Sequence, residues 1–177
     1  IMEQNEYEET YSTQTWDKLK TGTGVQGVFW NPEKWNGLGD IEIKACDLLK
    51  IYWEPGIDDI QKSKEVFYLE AVDTETLKNQ YPQMKEKTTG GLLNVKDYIT
   101  DDYIDNSEKT LVVDWYYKKK YVTSPEDEFT IPQIRTVLHY CKFADGVILY
   151  SSENAGEESW YSHGQYPFVF DGMFPEK

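Results

Sequence analysis

A chain of 177 residues has room for one domain of ordinary size or two small ones, and can bury a core without disulfide staples. Its 32 acidic residues outweigh 18 basic ones, a net charge of −14, and Arg135 is the only arginine. That balance excludes ordinary nucleic-acid binding, which clamps phosphates with Lys and Arg, although a surface that must let DNA slide past would look like this. No apolar run approaches the roughly 20 residues that a spanning helix needs, no signal peptide opens the chain, and the start Ile1-Met2 reads as an excised piece of a longer protein.

Taken in order, Glu3 to Lys20 is polar and free of Gly and Pro, with Tyr7, Tyr11 and Trp16 to Leu19 loosely on one side. It reads as a helix of moderate amphipathicity that Thr21 to Gly24 ends. Val25 to Trp30 is a strand. Asn31-Pro32 and the loop Asn36-Gly37-Leu38-Gly39 return the chain into Asp40 to Ala45, giving a hairpin with Trp35 at its tip. Leu48 to Trp53 reads as a third strand, stopped by Glu54-Pro55-Gly56 because proline cannot donate to a central ladder. Asp58 to Ser63 is a surface turn or short helix, and Glu65 to Val72 a fourth strand. Asp73-Thr74 caps a short helix through Leu77 to Gln80, which Tyr81-Pro82 ends.

Gln83 to Asn106 shows no clean period and reads as a connector. Beyond it, Thr110 to Pro167 is aromatic and strand-forming, with Ala144-Asp145-Gly146 as a tight hairpin turn and Ser124 to Glu128 as a loop tip. In Thr136 to Phe143 the alternation sends Val137, His139, Cys141 and Phe143 to one face, and Thr136, Leu138, Tyr140 and Lys142 to the other. Neither face is wholly polar, so the sheet is expected to be covered on both sides, by the protein itself or by a partner. The fold class is α+β, mostly antiparallel β with an N-terminal helix and short connecting helices. Three parts are expected: 1–82, a connector 83–107, and 108–177.

Few residues nominate chemistry. Asp97 to Asp105 is rich in carboxylates but fails the D-x-[DN]-x-[DN]-G spacing of a calcium loop, so it reads as a solvated loop. His139 and His163 are the only histidines, too few for a multi-histidine metal site. Cys141 lies two positions from His139 on the same strand face, but such side chains sit about 7 Å apart along the sheet, and the pair reads as core or interface rather than catalytic. Cys46 and Cys141 read as buried free thiols. Trp30, Trp35, Trp53, Trp115 and Trp160 could line a sugar platform, with carboxylates nearby as in glycoside recognition; core or interface anchors are the simpler account. The chain has no Gly-rich phosphate loop, G-x-S-x-G or H-E-x-x-H. No catalytic, cofactor-binding or metal residue is nominated.

The order of segments carries more than any single residue. GTGVQGVFWNPEKWNGLGDIEI, then DLLKIYWEPGIDDIQKSKEVF with a helix ending LKNQYP, then VDWYYKKK, LHYCKFADGVILYSSEN and the closing YPFVF together resemble the portal proteins of tailed bacteriophages, of the type found in phages and prophages of Gram-positive bacteria. The resemblance runs from Gly22 onward. It implies a structural protein of the head-tail connector rather than an enzyme. Such a subunit belongs to an oligomeric ring at one capsid vertex of the virion, assembled in the bacterial host cytoplasm, through which DNA is packaged and ejected. Implied partners are other copies of the subunit in the full-length ring, the terminase large subunit, the head-tail adaptor, capsid and scaffolding proteins, and DNA passing without sequence-specific binding; no membrane and no cofactor are implied. Residues 3–82 would correspond to the wing, the connector to the stem region, and 108–175 to a clip-like part. Without the helices that close the ring, the piece by itself is expected to be monomeric. Two other readings stand beside this one: a secreted carbohydrate-binding or glycosidase-like β domain, from the Trp, Tyr and carboxylate content, and a capsid or tail adaptor of the same virion.

Overall fold

In the computed structural model, residues 6–84, 108–123 and 133–173 are described. The connector from 85 to 107, with its acidic run, and the loop tip Ser124 to Glu128 lie outside them.

The first helix, α1 (Tyr7–Thr21), carries Glu8 and Glu9 in its first turn and Lys18 and Lys20 in its last, which complements the helix dipole at both ends. It stops at Gly22, whose φ of 85° lets its N–H bond back to the Lys18 carbonyl at 2.9 Å. Strand β1 (Thr23–Asn31) follows and pairs antiparallel with β2 (Asp40–Cys46), from Val25↔Cys46 to Asn31↔Asp40. The expected hairpin is present, and its tip is a helical turn, α2 (Lys34–Gly37), in which Trp35 and Asn36 take φ of 55° and 56°.

Leu48 to Trp53 is strand only in its second half, β3 (Ile51–Trp53). Leu48–Lys50 is a 3₁₀ turn, because the Asp47 carboxylate accepts from the Leu49 N–H at 3.0 Å and caps it. Asp59 caps a second 3₁₀ turn, Ile60–Lys62, in the same way. This segment is not simply surface, since Ile60 and Ser63 are buried. Strand β4 (Glu65–Asp73) runs into α3 (Thr74–Gln80), where Asp73 accepts from the Thr76 N–H at 2.8 Å as the predicted cap. A further 3₁₀ turn, Pro82–Met84, comes next.

The strand-forming part holds β5 (Lys109–Thr123), β6 (Gln133–Ala144) and β7 (Val147–Ser151). The Asp-Gly turn is where it was expected, with both Asp145 and Gly146 at positive φ (49° and 74°), the backbone that matches strand twist in a two-residue hairpin. The last strand, β8 (Phe168–Gly172), belongs by sequence to the expected part 108–177 but does not join its sheet. It pairs antiparallel with β1, from Thr23↔Gly172 to Gly27↔Phe168. Two sheets result, one in the order β2-β1-β8 and one in the order β3-β4-β5-β6-β7.

The chain accordingly forms two compact units, residues 1–51 with 167–177, and residues 52–166. This differs from a division into 1–82, 83–107 and 108–177. The physical reason is the pairing of β4 with β5 along nine residue pairs, from Glu65↔Tyr117 to Asp73↔Lys109, which joins strands from the two sides of the expected connector. The first unit is α1 on a three-stranded sheet, with Val25, Cys46 and Phe168 buried and the Phe29 ring edge-on to Phe168 at 5.7 Å. In the second, Leu77, Met84, Val112, Ala144 and Leu149 form one core cluster, and Leu69, Leu111 and Val113 another. Val137 to Cys141 are buried without a break. The middle of β6 is therefore covered on both faces, as its pattern led one to expect. Among the described residues, no helix is long and apolar enough to cross a membrane.

Candidate interaction surfaces

The five-stranded sheet turns most of its rings on one another. On one face Phe67 stacks on Trp115 (5.9 Å, 6° between planes) and Trp115 on Tyr117 (4.4 Å, 30°), with His139 beside Tyr117 at 5.5 Å. Register explains the row: Phe67↔Trp115↔Cys141 and Tyr117↔His139 are cross-strand partners, so their side chains share a face. Polar tips are satisfied at the rim. The Trp115 indole donates to Glu65 at 3.2 Å, and the Tyr117 hydroxyl donates to Glu153 at 2.7 Å. Hydrogen bonds from Lys119 and then Tyr117 hold the Glu153 carboxyl below its ordinary range.

His139 is buried, with its ring nitrogens 3.4 Å from the Ser152 hydroxyl and 3.3 Å from the Tyr121 hydroxyl. Ser152 Oγ in turn accepts from the Tyr140 N–H at 2.9 Å. Burial pushes the Cys141 thiol above its ordinary pKa, the reverse of what a nucleophilic cysteine needs. Geometry and charge thus make His139 and Cys141 part of the packing. His163 is exposed and accepts from the Gln165 N–H through Nδ1 at 3.0 Å. Cys46 and Cys141 are both free and buried, and they fall in different units. Among the described residues, no group of three or more His, Cys, Asp or Glu is placed to hold a metal ion.

On the opposite face, Tyr140 stacks on Trp160 (4.5 Å, 27°) and lies 4.9 Å from Tyr116. Its hydroxyl donates to Asp114 at 2.7 Å, and the Lys142 ammonium is 3.5 Å from the same carboxylate. Asp114 is 8% exposed. Desolvation raises its pKa although Lys142 and Tyr140 pull the other way. The Trp160 Nε1 is buried with no hydrogen-bond partner among the described residues. Of the five tryptophans proposed for a sugar platform, Trp115 and Trp160 have ring faces covered by neighbours, whereas stacking a sugar needs a free face.

The first unit does the reverse. Trp30 and Trp35 are 53% and 59% exposed at the hairpin end; Trp35 is anchored by its indole N–H to Asp40 at 2.9 Å. That hydrogen bond is the main reason the Asp40 carboxyl sits below its ordinary range. Helix α1 exposes Tyr11, Trp16 and Leu19 at 54%, 60% and 60%. These three, with Ser12 and Thr15, line a shallow groove of about 370 Å³.

No family model and no curated protein matches this chain.

What α1 buries is polar. Gln14 is its buried residue; its side-chain oxygen accepts from Gln26. It also packs where a Cβ on Gly24 would stand, 2.7 Å from its Cγ. Glycine at 24 is what lets the helix approach the strand so closely. The helix therefore turns a polar residue to its own sheet and an apolar stripe outward. The sequence put Tyr7, Tyr11 and Trp16 to Leu19 loosely on one side without assigning that side to the exterior; Tyr11, Trp16 and Leu19 face outward, whereas Tyr7, Asp17 and Lys18 are half-buried. The signal available was Gln14 facing a strand that offers glycine and Gln26 rather than aliphatics. Exposed apolar patches of this kind mark contact sites.

Proposed function

We propose that this chain is a piece of a portal subunit of a tailed bacteriophage, a structural part of the ring at the head-tail vertex. The observation that supports the reading is that the segments of the ordered resemblance fall on strands, capped turns and helix ends of the fold. GTGVQGVFWNPEKWNGLGDIEI spans β1, the hairpin tip and most of β2. DLLKIYW is the capped turn and β3; LKNQYP closes α3; VDWYYKKK lies in β5; LHYCKFADGVILYSSEN is the β6-β7 hairpin with its exit; and YPFVF leads into β8.

Two physical features support it. Ring subunits need heterologous interfaces, and the first unit offers exposed Trp and Tyr of the type enriched there. A net charge of −14 suits a conduit wall, because phosphate contacts strong enough to bind DNA would also hold it in place.

The test is capture. Tagged chain is incubated with the terminase large subunit, the head-tail adaptor and the capsid protein of its phage, in parallel with a glycan array and a labelled DNA duplex. Retention of at least one virion protein, with no shift of the duplex, is the expected result. Glycan binding with no virion protein retained would replace the portal reading with the carbohydrate-binding one.

A further inference from the structure

We infer that the outward face of α1 is a self-association surface, on which a second copy of this chain packs its own α1 antiparallel. The inference rests on α1 and on the charge of the chain, and is independent of the portal reading.

Glu8, Ser12, Trp16 and Lys20 follow one another at four-residue spacing, which aligns them as a single ridge along the helix. All four are exposed. Tyr11, Thr15 and Leu19 form the neighbouring ridge, and the groove lies among these side chains. Thr15 spends its hydroxyl on the Tyr11 carbonyl at 2.8 Å, so it presents a methyl group to the groove. Lys20 lies over the Trp16 ring at 5.3 Å, at the C-terminal end of the stripe.

The first ridge is complementary to itself when reversed. Laid antiparallel on a second copy, Glu8 of one helix meets Lys20 of the other, and the bulky Trp16 meets the small Ser12. Both matches occur twice across a two-fold axis, as an isologous contact requires. A parallel arrangement would instead set Glu8 against Glu8 and Trp16 against Trp16. The charge of the rest of the chain sharpens this choice. Two molecules of net charge −14 repel over most of their surfaces, so they meet best where acid and base are segregated to opposite ends of an apolar strip. Such a contact is at the small end of specific interfaces, so a dimer in the micromolar range is expected in place of the monomer read from the sequence.

Sedimentation equilibrium of the whole chain over a concentration series tests this, with far-UV circular dichroism to verify that each variant is folded. Wild type should show a monomer-dimer equilibrium that Trp16→Glu abolishes. Glu8→Lys and Lys20→Glu should each weaken the dimer roughly tenfold, because each places like charges together at both ends. The double variant Glu8→Lys/Lys20→Glu should recover wild-type affinity, since it swaps the pair without changing net charge. A wild type that stays monomeric throughout the series overturns the proposal and leaves the face to a different protein. A dimer that Trp16→Glu does not touch, or a double variant no better than the single ones, overturns it as well.

Discussion

The two units of this chain use the same kind of residue in opposite ways. In the five-stranded unit Tyr116, Tyr140 and Tyr166 are 3%, 8% and 3% exposed, and rings stack in rows along cross-strand register. In the three-stranded unit Trp16, Trp30 and Trp35 are more than half exposed, and the helix that could have covered an apolar sheet face covers Gly24 and Gln26 instead. Tyr116 and Tyr140 are buried as cross-strand partners of one another, whereas Trp30 stands opposite Ile41 and stays half exposed. The first unit thus buries Phe168 but turns its tryptophans outward, whereas the second stacks most of its rings within its own sheet.

Breaking each core should expose that division most strongly. Phe168→Ala removes the largest fully buried side chain and is expected to cost about 3–5 kcal/mol, read by urea unfolding. Hydrogen exchange should show the loss first in β1, β2 and β8, whereas Leu138→Ala should show it first in β5, β6 and β7. Protection lost evenly across all eight strands in both variants would mean that the units do not differ in this way.

A smaller effect is expected for Gly27→Ala. An added Cβ would stand 2.1 Å from the Phe29 ring and 2.8 Å from Cys46 Sγ, so the three-stranded unit must shift to admit it, at about 1–3 kcal/mol. An unchanged thermal midpoint would show that this core is looser than its geometry.

Asp114 tests the polar heart of the second unit. Burial raises its folded-state pKa above the unfolded value, so the folded protein holds this proton more tightly than the unfolded chain. Its contribution therefore favours the fold at acid pH, and is lost as pH rises from the unfolded value of 3.8 through the folded one. Asp114→Asn, which keeps an acceptor for Tyr140, should gain stability relative to wild type over that rise and then hold the gain. A difference that does not vary with pH would show that Asp114 titrates alike in the folded and unfolded chain.

The smallest effect belongs to the surface. Trp35→Phe removes the hydrogen bond that does most to lower the Asp40 pKa, so in an NMR titration Asp40 should return toward the ordinary carboxylate range while the unfolding midpoint hardly moves. An unshifted Asp40 would assign its low value to the Ile41 N–H and Lys34 instead.

What could be read from the residues was local. The β1-β2 hairpin, the Asp73 cap, the Tyr81-Pro82 stop and the Asp145-Gly146 turn are each set by a few adjacent residues whose backbone preferences act alone. The capped turn at Leu48 was missed because an Asp47 side chain outcompeted a strand-like run. Long-range choices were not legible: YPFVF reads as strand wherever it pairs, and nothing in it names β1 as the partner. The outward stripe on α1 was half legible, since periodicity tells which residues share a side but not which side meets the sheet.

One consequence of the β1-β8 pairing concerns time. The three-stranded sheet takes strands from both ends of the chain, and the whole of residues 52–166 lies between them. On a ribosome, α1 and the β1-β2 hairpin emerge before residues 168–172 and must wait for them with one flank of β1 unpaired. The β5-β6-β7 meander can close by short steps in the meantime. Closing a loop that long is slow for entropic reasons, so the docking of β8 is expected to be the last step in forming the three-stranded sheet. The unpaired flank of β1 is then the place where a nascent or crowded chain is most exposed to pairing with the wrong strand.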